Sequence, residues 1–170
     1  KVWVQVYNST DSIFDGTVYR KVKPIFVFNP DGTPALFSGF KTISFGSVAE
    51  TLFAVPRTHR GLRADHQGNI LISFQDILYK VNYQTGAGIA RTNPVPGQTL
   101  TAPAVTSAGE IFTAQVNGGN PIKIYSSDLT FQRNAVDLSQ GLSRSFEVAK
   151  TGATIYWAGY TNHAVYEYRS

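Results

Sequence analysis

The chain has 170 residues, 42% of them hydrophobic and 15% charged, with a formal net charge of +4; a chain this apolar and this poor in charge carries the material for a folded core, which excludes a disordered one. It has no cysteine, which excludes disulfides, cysteine-ligated zinc and a thiol nucleophile, and no apolar run approaches the ~20 residues of a membrane span. Its Lys and Arg residues are scattered singly, with no run of five or six, so nucleic acid is not expected as a partner despite the positive charge.

Nine Tyr and eleven Phe, with many Val, Ile and Thr, make a strand composition, because branched and aromatic side chains pack well on a pleated surface. In chain order, "KVWVQVYN" opens the sequence as a strand and is expected to pair with "IFVFNPDGTP", which begins at Ile25. The connection between them, residues 9–23, is longer than its counterparts at 75–77, 117–120 and 161–163. It reads as a solvated loop. Long loops on rigid scaffolds often carry function, but Asp11 and Asp15, flanking Ser-Ile-Phe, lack the oxygen spacing of a calcium loop. Asn8-Ser9-Thr10 matches a glycosylation acceptor, a match that nine Asn residues make common by chance. "ALFSGFKTISF" (35–45) is a candidate strand at the end of this first unit.

From residue 61 the chain repeats. Gly61–Ile72, Ala102–Thr113 and Ser145–Trp157 align on Gly68, Gly109 and Gly152, spaced by 41 and 43 residues. Each reads as a short strand, a tight turn whose glycine supplies positive φ, and a second strand. A third strand follows each: "LYKVNYQTG" from 78, "PIKIYSSD" from 121 and "AVYEYRS" from 164, at intervals of 43 residues. "GAGIART" (86–92) and "TFQRNAVDL" (130–138) are candidate fourth strands.

Four short strands per ~42 residues is the repeat of a β-propeller blade. A single four-stranded sheet cannot bury both of its faces, whereas sheets arranged radially bury each face against the next. The fold class is therefore all-β, a propeller segment of about 3.5 blades. Residues 61–95 and 102–138 are complete blades; 1–45 lacks a first strand and 144–170 a fourth. A β-sandwich is the alternative architecture. The blade count, with the absence of Met, leads to the expectation of a processed or excised part of a six- to eight-bladed protein, its signal peptide removed, which associates with further blades or another copy.

"GLRADHQGNILIS" resembles the NHL repeat, and "SRSFEVAKTGATIYWAGYTNHAVYEY" resembles a blade of the gluconolactonase and senescence-marker group or of YVTN-type surface repeats. The resemblance covers about 61–170. It implies the propeller fold and leaves function open, since propellers host enzymes, adhesins and scaffolds alike. In the lactonase group it also implies a channel metal held by Glu, Asn and Asp. Where that group has Pro-Asn-Gly this chain has Ser143-Arg144-Ser145, where the Asp is expected it has Ala158-Gly159-Tyr160, and the matching place in the 61–74 unit is Phe74-Gln75. No metal site and no cofactor is expected from the residues in hand.

Arg57, Arg60, Arg63 and Arg144 fall at or just before first strands, which line the channel of a propeller. Arg60 and Arg144 are expected to approach each other near its mouth, where the planar guanidinium forks suit a carboxylate or phosphate. Glu147, if it faces the channel, is placed to orient an arginine or a cation. Tyr160, Asn162 and His163 sit in an inter-strand loop suited to ligand contact, Tyr83 is a further loop aromatic, and Trp157, inside a strand, is expected to pack between blades. His66, in "DHQGN", reads as exposed and structural. No Gly-x-Ser-x-Gly, P-loop or dinucleotide fingerprint occurs. The reading that follows is a non-catalytic extracellular or periplasmic binding or scaffold module for a protein or glycan, the ligand-binding candidates being Arg60, Arg63, Arg144, Glu147, Tyr160, Asn162 and His163. The alternative is a lactonase-like hydrolase whose channel metal is supplied partly by residues outside the chain.

Overall fold

The structure, a computed structural model, describes residues 1–55, 57–95 and 97–169, apart from the side chain of Arg144. All its regular elements are antiparallel strands. β1 (Val2–Gln5) pairs with β4 (Ile25–Phe28), Trp3 opposite Val27. Between them lie β2 (Ser12–Phe14) and β3 (Tyr19–Lys21), which form a hairpin where a solvated loop was expected. Asp15 Oδ1 accepts the backbone N–H groups of Thr17 and Val18 and closes that turn, and the Phe14 and Tyr19 rings pack across it, tilted by 50°, at 5.4 Å. The 35–45 stretch is also not one strand. Residues 34–40 meet β4 through the isolated bridges Phe28–Pro34 and Ile25–Phe40 and through single hydrogen bonds such as Val27 N–H to the Ser38 hydroxyl. β5 (Thr42–Phe45) turns away to pair with β6 (Val48–Thr51), a hairpin outside the repeat.

The repeated part of the chain folds as successive antiparallel sheets. β7 (His59–Ala64), β8 (Ile70–Phe74), β9 (Ile77–Val81) and β10 (Gly88–Arg91) form one four-stranded meander. β11 (Ala104–Val105), β12 (Ile111–Thr113), β13 (Ile122–Tyr125) and β14 (Phe131–Val136) form a second. β15 (Ser143–Val148), β16 (Thr154–Gly159) and β17 (Ala164–Arg169) form a three-stranded third.

Burial shows how the sheets are arranged. Every residue of β8 and β9 is buried, as happens only when both faces of a sheet are covered. Ile70, Ile72, Phe74, Tyr79 and Val81 pack on Trp3, Ile25, Val27 and Ile43 of the first unit. Leu71 and Leu78, on the opposite face, pack on Leu100, Ile111 and Leu129 of the next sheet. That sheet turns its other face, with Phe112, Ile122 and Ile124, to Phe146, Ile155 and Trp157. The end sheets alternate instead: every second residue is half-buried in β1 and buried in β16, because each has one covered face. Trp157 is fully buried in the last seam, in agreement with a packing role, and its indole N–H donates to Gln140 O. Each such large side chain contributes about 1.5–3 kcal/mol relative to exposure.

First strands stand side by side at the inner edge, β11 touching both β7 and β15. They approach so closely that a Cβ on Gly61 would lie 2.3 Å from the Ala102 Cβ. The three turns after them are also matched. The N–H of Gly68, Gly109 and Gly152 each bonds the carbonyl three residues back, at 3.1, 3.1 and 2.8 Å, with φ of 85°, 88° and 81°. At Gly109 a side chain is doubly excluded, since its Cβ would lie 2.4 Å from the His66 ring of the preceding turn. His66 is exposed on its other side.

Candidate functional site

Arg63 projects from the face of β7 that looks toward the second four-stranded sheet, in register with Leu71. There it meets Glu147 of β15 in an ion pair that spans 84 residues of sequence and passes over β11. Glu147 thus does orient an arginine, and the arginine is Arg63. Both partners are substantially exposed, so the pair contributes at most about 1 kcal/mol to stability and stays open to a ligand. Beside it is a recess of about 290 Å³ whose lining includes Arg63, His66, Val105, Thr106 and Lys150. Each sheet supplies part of it from its first strand or the following turn. The turns are tied together, Ser107 donating to Lys150 O from both N–H (3.0 Å) and Oγ (2.9 Å). Asp65 also reaches the recess, but its carboxylate is taken by Lys80 at 2.7 Å. Two cations, Arg63 and Lys150, thus line the recess, with Glu147 paired to Arg63 and the Glu110 carboxylate against the Gly152 turn.

The other candidates do not join this recess. Arg60 lies three residues from Arg63 along β7, about 10 Å at ~3.3 Å per residue, toward the opposite end of the strand. Its buried Nε has no hydrogen-bond partner among the described residues. The approach of Arg60 to Arg144 concerns a side chain outside the described residues. Arg57 is committed to Asp76, Nε–Oδ1 2.6 Å, and is not part of an arginine cluster. Tyr160, Asn162 and His163 follow β16 and belong to the end of the sheet away from the Glu147–Tyr156 pairing. Tyr160 is 64% exposed, Asn162 donates to the Tyr166 hydroxyl at 2.7 Å, and His163 takes a φ of 50°.

His59, at the start of β7, is buried. Its Nε2 donates to Lys23 O at 3.0 Å, which leaves Nδ1 to accept from the Gln5 amide at 3.3 Å. Burial, opposed in part by the bond to Lys23 O and reinforced by the Lys23 charge, pushes its pKa down to about 4. Tyr79 is pushed upward by burial and by Glu50, which accepts its hydroxyl at 2.8 Å.

The positions that would carry a lactonase-type metal do not fit one. Ser143 is buried and bonded to Ser145 through its hydroxyl, which donates to Ser145 O at 2.6 Å. Gly159 pairs within the sheet, and Gln75 donates to the Thr99 hydroxyl at 2.7 Å. Among the described residues no three His, Asp or Glu side chains stand together as a metal-holding group. Sequence reasoning missed Lys150, Thr106 and the basic residues Lys21 and Lys23. The first two were legible only through the alignment of turns, since each sits at or one position after the start of a repeated turn.

No family model matches the chain, and no curated protein sequence does. Solved structures do. The chain is similar to a gluconolactonase from Xanthomonas campestris at 12% identity over 81% of this chain and 42% of that one, TM-score 0.53. It is similar to a chain of the nidogen/laminin complex at 12% identity over 87% and 53%, TM-score 0.55. It is also similar to a protein of unknown function from Bacteroides caccae at 9% identity over 89% and 55%, TM-score 0.50. The chain spans about half the length of these structures. Radial four-stranded sheets and propeller neighbours together define the class: this is a β-propeller segment.

Proposed function

We propose that the chain is a binding or scaffold segment of a propeller protein, with no catalytic chemistry of its own, and that it holds an anionic group of a partner at the inner-edge recess between Arg63 and Lys150. The observation that carries this reading is the Arg63–Glu147 pair, an exposed ion pair placed at the inner edge where three sheets converge. Glu147 engages one guanidinium nitrogen and leaves the rest of the fork for a carboxylate or a comparable oxyanion. Lys150 adds a mobile point charge. An acidic glycan or acidic protein segment is the partner this chemistry suits. A low-charge surface rich in Tyr, Thr, Asn and Gly supports an extracellular or periplasmic setting. The open outer faces of the end sheets, with Val2 and Val4 at one end and Tyr156 and Val165 at the other exposed, support association with further blades or another copy.

The test is calorimetric titration with galacturonate oligomers and with a hexaglutamate peptide. Saturable binding to one of them, weakened at least tenfold (about 1.4 kcal/mol) in the Arg63→Gln/Lys150→Gln double variant, is expected. Equal binding by the double variant, or none by either protein, contradicts the reading.

A further inference from the structure

A second basic cluster lies at the other end of β7, where Lys21 and Lys23 stand outside both the repeat and the recess. Lys23 follows β3 and is only 8% exposed. Its ammonium donates to the Tyr7 carbonyl and, at 2.7 Å, to the Thr58 hydroxyl, and it stands 4.5 Å from the centroid of the Tyr7 ring. An ammonium has three N–H groups, and these contacts account for two. None of its partners is a carboxylate. The two acids of the neighbouring hairpin are engaged elsewhere, Asp11 with Lys41 at 3.1 Å and Asp15 with Arg20 at 3.7 Å.

Burying a charge with no counter-charge costs several kcal/mol, so buried ammonium groups are normally paired. Here a second cation makes matters worse. Burial, then repulsion from Arg60, lowers the Lys23 pKa, and the Arg60 Nε is itself buried without an acceptor. Lys23 also lines a pocket of about 380 Å³ together with Lys21, Tyr7, Asn8, Ser9 and Thr10, within the volume range of small-ligand sites. The pocket therefore joins unneutralised cations, free donor capacity, and loop hydroxyl and amide groups.

We propose that this pocket is an oxyanion-binding site, in which Lys23 and Lys21 hold a carboxylate, sulfate or phosphate group of a ligand. The bound oxyanion supplies the counter-charge that Lys23 lacks, while Asn8, Ser9 and Thr10 complete its hydrogen bonds, and the Arg60 charge beside Lys23 adds to the positive potential. The site is separate from the Arg63–Lys150 recess and stands or falls independently of it.

The experiment is an NMR titration of the isotopically labelled chain with acetate, sulfate and inorganic phosphate in turn, at constant ionic strength. Saturable shifts of the Tyr7–Thr10 and Lys21–Lys23 amides are expected at about millimolar concentration or below. The anion that binds most tightly identifies whether the ligand group is a carboxylate, a sulfate ester or a phosphate ester. Lys23→Gln and Lys21→Gln should each weaken binding at least tenfold, and Arg63→Gln should leave it unchanged. If Lys23→Gln does not fold, Lys21→Gln carries the test. Shifts that stay linear and scatter over surface lysines with all three anions, or binding that both pocket variants leave unchanged, overturn the proposal.

Discussion

Lys80 and Asp65 meet as a fully buried ion pair, Nζ to Oδ2 at 2.7 Å. Lys80 also donates to Gln67 Oε1 at 3.2 Å and to Ser127 O at 2.7 Å. The ammonium is thereby held by one charge contact and two hydrogen bonds, and the link to Ser127 fastens the β7–β8 turn to the β13–β14 turn of the next sheet. Removing one partner leaves the other charge buried alone. Lys80→Met is expected to lower stability by about 3–5 kcal/mol, and the Asp65→Asn/Lys80→Met double variant to recover much of it. Urea denaturation of the single and double variants measures both effects.

At Gly109 the expected cost has two separable parts. Its φ of 88° strains any side chain by about 1–3 kcal/mol, and a Cβ collides with the His66 ring. Gly109→Ala should destabilise the fold, and adding His66→Ala should relieve the collision while leaving the backbone strain. Thermal melts of the two variants separate the parts; equal destabilisation with and without the His66 ring would remove the contact between turns from the account.

His59 should make stability depend on acid. Its folded pKa of about 4 lies below its ordinary 6.5, so the unfolded chain takes up the proton first. The contribution is complete above pH 6.5 and is lost as the pH falls from there toward 4, roughly 3–4 kcal/mol in all at ~1.4 kcal/mol per pKa unit. Denaturation midpoints across this range should fall in the native chain and fall less in His59→Gln.

Arg63 separates binding from stability. Because the Arg63–Glu147 pair is exposed, Arg63→Gln should change unfolding free energy by less than about 1 kcal/mol, while weakening anion binding at the recess. A large loss of stability would mark the pair as structural.

Much of the fold was legible because strands and turns leave local marks. Gly68, Gly109 and Gly152 are required by the same positive-φ turn, and the doubly buried β8 reads as an apolar run. The hairpins at 12–21 and 42–51 were not legible, since their strands are three or four residues long and stand outside the repeat frame that guided the reading. The site was legible only in part. Glu147 could be expected to orient an arginine, but the choice of Arg63 depends on how first strands pack side by side. Lys80 and Lys23 looked like ordinary scattered lysines, because burial of a lysine is decided by the neighbouring sheet or hairpin and leaves no trace in the local pattern.

The central claim is that successive sheets stand radially, turn against turn. The most direct measurement is the nuclear Overhauser contact between the Gly109 α-protons and the His66 ring protons, residues 43 apart in consecutive turns. The radial arrangement requires a strong cross-peak there; its absence from a folded, well-dispersed spectrum contradicts the arrangement.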